Sequence, residues 1–240
     1  MNLIKRLFKS SVGRKYLMAI SGGGLVLFVT GHMIGNLQIF LGRETINTYA
    51  QFLQSNKEVL WLVRLSLLGL LILHVWSAAS LTRDNRRARP LGYSGNPVPT
   101  AASYASRTML MSGTIVATFI VYHLLHYTAQ VEAINFTGES FKVLKEPLRD
   151  GTERHDVFAM MVLGFRNPYV ALFYLLGVGL LCLHLSHGVR AMFQSIGLKN
   201  GHWGPLIDRV APILAWVLFL GYASIPLAVL LGLVGKEVAR

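Results

Sequence analysis

The sequence predicts an all-α integral membrane protein: a bundle of five transmembrane helices with the N-terminus in the cytoplasm. Three observations predict it. Hydrophobic residues make up 53% of the chain and charged residues 14%, against the roughly one-quarter charged of a soluble domain. Five apolar runs, at about 17–41, 59–81, 109–129, 169–193 and 210–234, each approach the ~20 residues that cross a hydrocarbon layer at ~1.5 Å per residue. Basic residues flank these runs instead of forming one patch, which argues against nucleic acid as the partner of a chain with net charge +12.

The first 16 residues, MNLIKRLFKSSVGRKY, carry five basic residues and no acid. A cleaved signal peptide also begins this way. The run 17–41 outlasts a signal core of about 7–15 residues, however, and no small-residue cleavage site follows it. It is read as a retained first span, with Lys5, Arg6, Lys9, Arg14 and Lys15 holding the N-terminus inside. Helix is the form expected of all five runs, because lipid offers the backbone no hydrogen-bond partner. In the fifth, Pro212 is expected in the first turn and Pro226 as an interior kink.

Loop charge sets the orientation. Segments 1–16, 82–108 and 190–209 hold 13 Lys and Arg against two acids, Asp84 and Asp208, so they are assigned to the inner side. The loop 82–108 is basic and rich in Pro and Gly, and reads either as this topology signal or as a docking surface for a cytoplasmic partner. The outer loop 130–168 contains the apolar stretch HDVFAMMVLGF at 155–165, too short to span and expected as an interfacial helix or re-entrant cap. Cys182 is the sole cysteine and has no disulfide partner. Residues 1–240 read as one membrane domain.

Histidines inside the spans carry the chemistry. His32 and His123 lie late in spans one and three, at an outer level; His74 and His184 lie at an inner level in spans two and four. On helical rise the levels differ by roughly 10 Å. One histidine in a membrane bundle ordinarily bonds to a hydroxyl or a carbonyl. Four of them, in two depth-matched pairs from alternating helices, point to a ligated cofactor. Zinc asks for four ligands, or three and a water, with a carboxylate or Cys nearby. Two opposed imidazoles with no acid at their level suit haem, whose iron takes one axial nitrogen from each side. With both positions filled, O₂ has no site, and the expected role is electron transfer through two stacked haems. His126 and His187 each follow a candidate ligand by three residues and could replace His123 or His184; they are read as polar neighbours hydrogen-bonding a haem propionate or water. Gly22, Gly23, Gly24, Gly31 and Gly35, with Gly177, Gly179 and Gly188, thin spans one and four for a planar cofactor or for close helix packing.

The run SSVGRKYLMAISG followed by GHMIGNLQ, the 42-residue step from His32 to His74, YHLLH in span three and HLSHG in span four resemble the single-chain, five-helix, cytochrome b558-type membrane anchors of succinate dehydrogenases and fumarate reductases. The resemblance covers all five spans. It implies that His32 and His123 bind one haem b and that His74 and His184 bind the other, proximal one. It also implies an FAD-bearing flavoprotein subunit and an iron–sulfur subunit on the cytoplasmic side. Electrons from succinate would then reach a membrane quinone, menaquinone being the expected one. The chain itself holds no flavin motif and no CxxC pattern, so it would be a non-catalytic electron-transfer subunit in the cytoplasmic (inner) membrane. One departure stands out: some fumarate reductases of this type carry Glu two residues before the helix-four ligand, where this chain has Cys182.

For the quinone, Gln38, Gln54 and Glu58 could offer polar contacts near the outer level, or be ordinary helix-end residues at the interface. On the inner side Ser11 and Arg14 could serve a quinone or meet lipid phosphates. Two other functions fit parts of the pattern: a cytochrome b subunit of a hydrogenase or formate dehydrogenase, and a proton-coupled transporter, although the spans lack the midplane charges usual in transporters.

Overall fold

The computed structural model describes residues 3–88 and 108–238. Element order is α1 (Leu3–Lys9), α2 (Ser11–Leu37), a 3-10 turn (Gln38–Leu41), α3 (Arg43–Ser55), α4 (Lys57–Arg87) and α5 (Met109–His123), which ends in a π turn (Leu124–Thr128). An antiparallel hairpin of β1 (Lys145–Pro147) and β2 (Glu153–His155) follows, then α6 (Val157–Arg166), α7 (Pro168–Ser195) and α8 (Gly204–Leu230). Five helical stretches are long and apolar enough to cross a membrane: Ser11–Leu41, Lys57–Arg87, Met109–Thr128, Pro168–Ser195 and Gly204–Leu230. They agree in number and order with the five apolar runs. Residues 89–107 of the basic loop, read as topology signal or docking surface, lie outside the described residues.

The helix ends differ from the apolar edges for local reasons. α2 starts at Ser11, six residues before the apolar run, where Ser10 caps it by accepting from Gly13 N–H at 3.0 Å. α7 opens with Pro168 at its first position, where a missing N–H costs little, and Asn167 caps it by accepting from Tyr169 N–H at 2.9 Å. α8 begins at Gly204, so Pro205 and not Pro212 occupies the first turn; the expectation for Pro212 is corrected. Interior Pro212 cannot donate to the carbonyl of Asp208 four residues back. That carbonyl accepts instead from Arg190 Nη2 at 3.3 Å. At its far end α8 stops at Leu230, short of 234, because Gly232 turns at φ 64° and Leu233 N–H bonds back to Ala228 O at 2.8 Å.

Two compact units form. The first gathers Met1–Val29, Trp61–Met109 and His184–Ala215. Its buried positions are mostly small, with Ala19, Ser21, Ser77, Ser80, Ala211 and Ala215 letting helices approach closely. Arg14 is buried, donates to Asp84 Oδ2 at 2.5 Å and to the carbonyls of Lys9 and Ser10, and so ties the start of α2 to the end of α4. Phe8 packs against Trp76 in the same unit, ring centres 5.5 Å apart.

The second unit gathers Thr30–Leu60, Leu110–Leu183 and Trp216–Arg240. Its core is large and aromatic: Phe119, Phe141, Phe158, Phe165 and Tyr174 are all buried. α3, absent from the hydropathy reading because RETINTYAQFLQS is too polar to register as a span, buries Ile46 and Asn47. Asn47 is fully satisfied: its amide donates to Asp156 Oδ1 at 2.9 Å and Glu146 Oε2 at 2.7 Å, and its carbonyl accepts from Phe158 N–H at 2.9 Å. Arg154, on β2, donates to Glu146, Glu44 and Thr48 at 2.6–2.8 Å. The apolar stretch expected at 155–165 is α6, capped by Asp156, which accepts from Ala159 N–H at 3.0 Å; seven of its ten residues are buried.

Burial alone would raise the Asp156 carboxyl, but hydrogen bonds from Arg43, Ala159 N–H and Asn47 hold it below the usual carboxylate range. Asp156→Ala removes the cap and leaves Arg43 and Asn47 without this partner. A loss of about 2–4 kcal/mol is expected, read as a lower thermal midpoint of the detergent-solubilised protein. Because the folded carboxyl titrates low, its contribution is complete above about pH 4. It falls away as pH drops through the depressed value, so the wild-type advantage should close in acid. A second substitution tests the helix packing. A Cβ at Gly177 would enter the Phe119 ring, so Gly177→Val is expected to cost about 1–3 kcal/mol by the same measurement.

Candidate functional site

Each unit holds one pair of histidines from two separate apolar helices. In the first unit His74 of α4 faces His184 of α7, with ring centres 6.4 Å apart and ring planes crossed at 67°. The Nδ1 of His74 lies 3.3 Å from the main-chain carbonyl of Met18 and 3.4 Å from Ser21 Oγ, both on α2. Ser21 itself donates to the Leu17 carbonyl at 2.7 Å, a bond that removes its hydroxyl proton from competition for the imidazole. The carbonyl can only accept, so His74 donates its Nδ1–H there and keeps the lone pair of Nε2 free for a metal. Gly22 makes room for the ring: a Cβ there would stand 3.2 Å from His74 Cε1.

In the second unit His32 of α2 faces His123 at the end of α5, ring centres 5.7 Å apart and planes at 82°. Tyr222 of α8 packs beside His32 at 6.3 Å. The chain changes pitch directly after His123, from α-helix into the π turn, a form that concentrates at functional positions. That turn carries His126 and Tyr127 inward. The Tyr174 hydroxyl of α7 lies 3.0 Å from His126 Nδ1 and 3.4 Å from His123 Nδ1.

Both pair spacings suit one metal atom between two rings. Two metal–imidazole bonds of ~2 Å, with ~1.1 Å from each nitrogen to its ring centre, separate the centres by about 6 Å. Among the described residues no group of three or more His, Cys, Asp or Glu side chains is arranged around a common point, which leaves zinc short of ligands. Two imidazoles from separate helices are a donor set that could hold a haem iron.

Other residues marked in the sequence fall into different places. His126 is fully buried, and its Nδ1 lies 3.0 Å from the Tyr174 hydroxyl. Its Nε2 and the Tyr127 hydroxyl are buried without a hydrogen-bond partner among the described residues. His187 is half-buried on α7, one turn beyond His184. Arg14 pairs with Asp84, and Ser11 is exposed at the first position of α2. Gln38 is half-buried in the 3-10 turn, while Gln54 and Glu58 are exposed where α3 ends and α4 begins. Among the described residues no polar contact joins these three. Cys182 is buried within α7.

Tyr174, Ser21 and the Met18 carbonyl escaped the sequence reading. No periodicity distinguishes a tyrosine that bridges two imidazoles from one that fills a core, and a carbonyl leaves no mark in a sequence. Comparison with protein families, with curated proteins and with solved structures finds no match to this chain.

Proposed function

We propose that the chain is the haem-bearing membrane anchor subunit of a succinate dehydrogenase or fumarate reductase, seated in the cytoplasmic membrane with its N-terminus inside. The observation that supports it best is the pairing itself: each unit presents two imidazoles on separate apolar helices, 5.7 and 6.4 Å between ring centres. The sequence resemblance to the five-helix anchors points the same way. His32 and His123 would hold one haem b, and His74 and His184 the other. Bound there, haem b supplies reversible one-electron transfer.

The chain's own residues do the positioning. Met18 O fixes the tautomer of His74, and Gly22 admits its ring. Apolar helices around the pairs keep water from the imidazoles. Electrons enter from an iron–sulfur subunit, itself supplied by an FAD-bearing flavoprotein that performs the succinate chemistry, and leave to menaquinone in the membrane. Gln38, Gln54 and Glu58 are the proposed polar contacts for that quinone. No transmembrane proton route is assigned to Cys182.

A dithionite-reduced minus air-oxidised spectrum of the purified protein is expected to show b-type haem bands. Their absence would favour histidines that carry protons in a transporter. A co-purifying flavoprotein is expected; a nickel or molybdenum protein would move the reading to a hydrogenase or formate dehydrogenase. Haem stoichiometry then tests the ligands. His74→Ala and His184→Ala should each take the chain from two haems to one, whereas His126→Ala and His187→Ala should keep both. Equal loss from all four would mean collapse of the bundle and sink the ligand assignment.

A further inference from the structure

Proton counting orders the chain His123, Tyr174, His126. A hydroxyl has one proton to give, so Tyr174 donates to one of its two imidazole neighbours and accepts from the other. A neutral imidazole likewise carries a single N–H. If His123 binds metal through Nε2, its proton sits on Nδ1 and is donated to Tyr174 Oη. Tyr174 then donates its own to His126 Nδ1, and His126 keeps its proton on Nε2. The reverse order would place the His123 proton on the nitrogen meant for the metal.

The hydroxyl is held in place for this. Tyr174 is 6% exposed, and its ring meets Phe165 and Phe119 edge-on at 5.0 and 5.2 Å. Its acceptor strength is raised by its own donation to His126, since consecutive hydrogen bonds polarise one another. The first unit is wired differently: His74 meets a backbone carbonyl and a serine hydroxyl already engaged with Leu17 O.

Resting on the haem reading above, we infer that Tyr174 is a positioning residue that, through the His123 Nδ1–H, sets the reduction potential of one of the two haems independently of the other. A ligand histidine that gives its far N–H to a good acceptor becomes more basic. Greater basicity favours ferric over ferrous iron and lowers the potential of that haem.

Potentiometric titration of the purified holoprotein, followed in its haem bands, tests this. Tyr174→Phe keeps the ring and removes the hydroxyl. The expected result is two haems per chain, one midpoint raised on the order of 59 mV, equivalent to a tenfold change in a one-electron equilibrium, and the other midpoint unmoved. His126→Leu leaves Tyr174 in place but takes away its acceptor, and should raise the same midpoint by less. Retention of both haems at wild-type midpoints in Tyr174→Phe overturns the inference. If Tyr174→Phe instead loses a haem, His126→Leu decides, and unchanged midpoints there overturn it. Wild-type protein without haem would fail at the first spectrum, and it would remove the proposed function together with this inference.

Discussion

A neutral imidazole has one proton and two nitrogens, so whatever holds the proton decides what the other nitrogen can do. Much of this structure can be read from that constraint. His74 surrenders its Nδ1–H to a carbonyl of α2, and His123 lies within reach of a tyrosine hydroxyl that is itself committed to a third ring. Within a bilayer core no water would be at hand to relax either arrangement. At His74 the tautomer is therefore a property of the fold, set by a main-chain carbonyl of the same unit.

The five helices were legible in the sequence because bilayer thickness fixes their length and lipid excludes any other backbone form for runs of that size. Proximity of His32 to His123, and of His74 to His184, was legible for a related reason: a helix of constant rise converts sequence position into depth. Helix ends were less so. Apolar edges say where lipid begins, whereas hydrogen-bond ladders continue until a cap or a glycine stops them, as Asn167 and Gly232 do. α3 was invisible for the same reason that α4 was obvious, since a hydropathy scan averages away an amphipathic face. Partners of the imidazoles were unreadable, because a carbonyl or a tyrosine at the right distance depends on rotation about helix axes that no spacing rule sets.

The polar cap of the second unit shows how charge is accommodated there. Asp156 and Arg154 are almost fully buried, yet each is met by several donors or acceptors from α3 and the hairpin. The same network orients α6, whose Gly164 lets Tyr127 and His126 approach its backbone. An ion network in a connecting segment thus bears on the seat of an imidazole through one short helix, within one compact unit.

The two units differ in emphasis, small residues being frequent among the buried positions of the first and aromatic rings confined to those of the second. Alanine scanning would therefore give a lopsided picture of this protein. At Ala19, Ser21, Ser77, Ser80, Ala211 and Ala215 there is almost nothing to delete, and such a scan would read the first unit mainly through Leu81, Leu185, Val189 and Ile207. Only enlarging substitutions would reveal how tightly its helices meet. Natural sequence drift faces the same asymmetry: loss of volume is felt at the buried rings, and gain of volume wherever a small residue lets two helices meet.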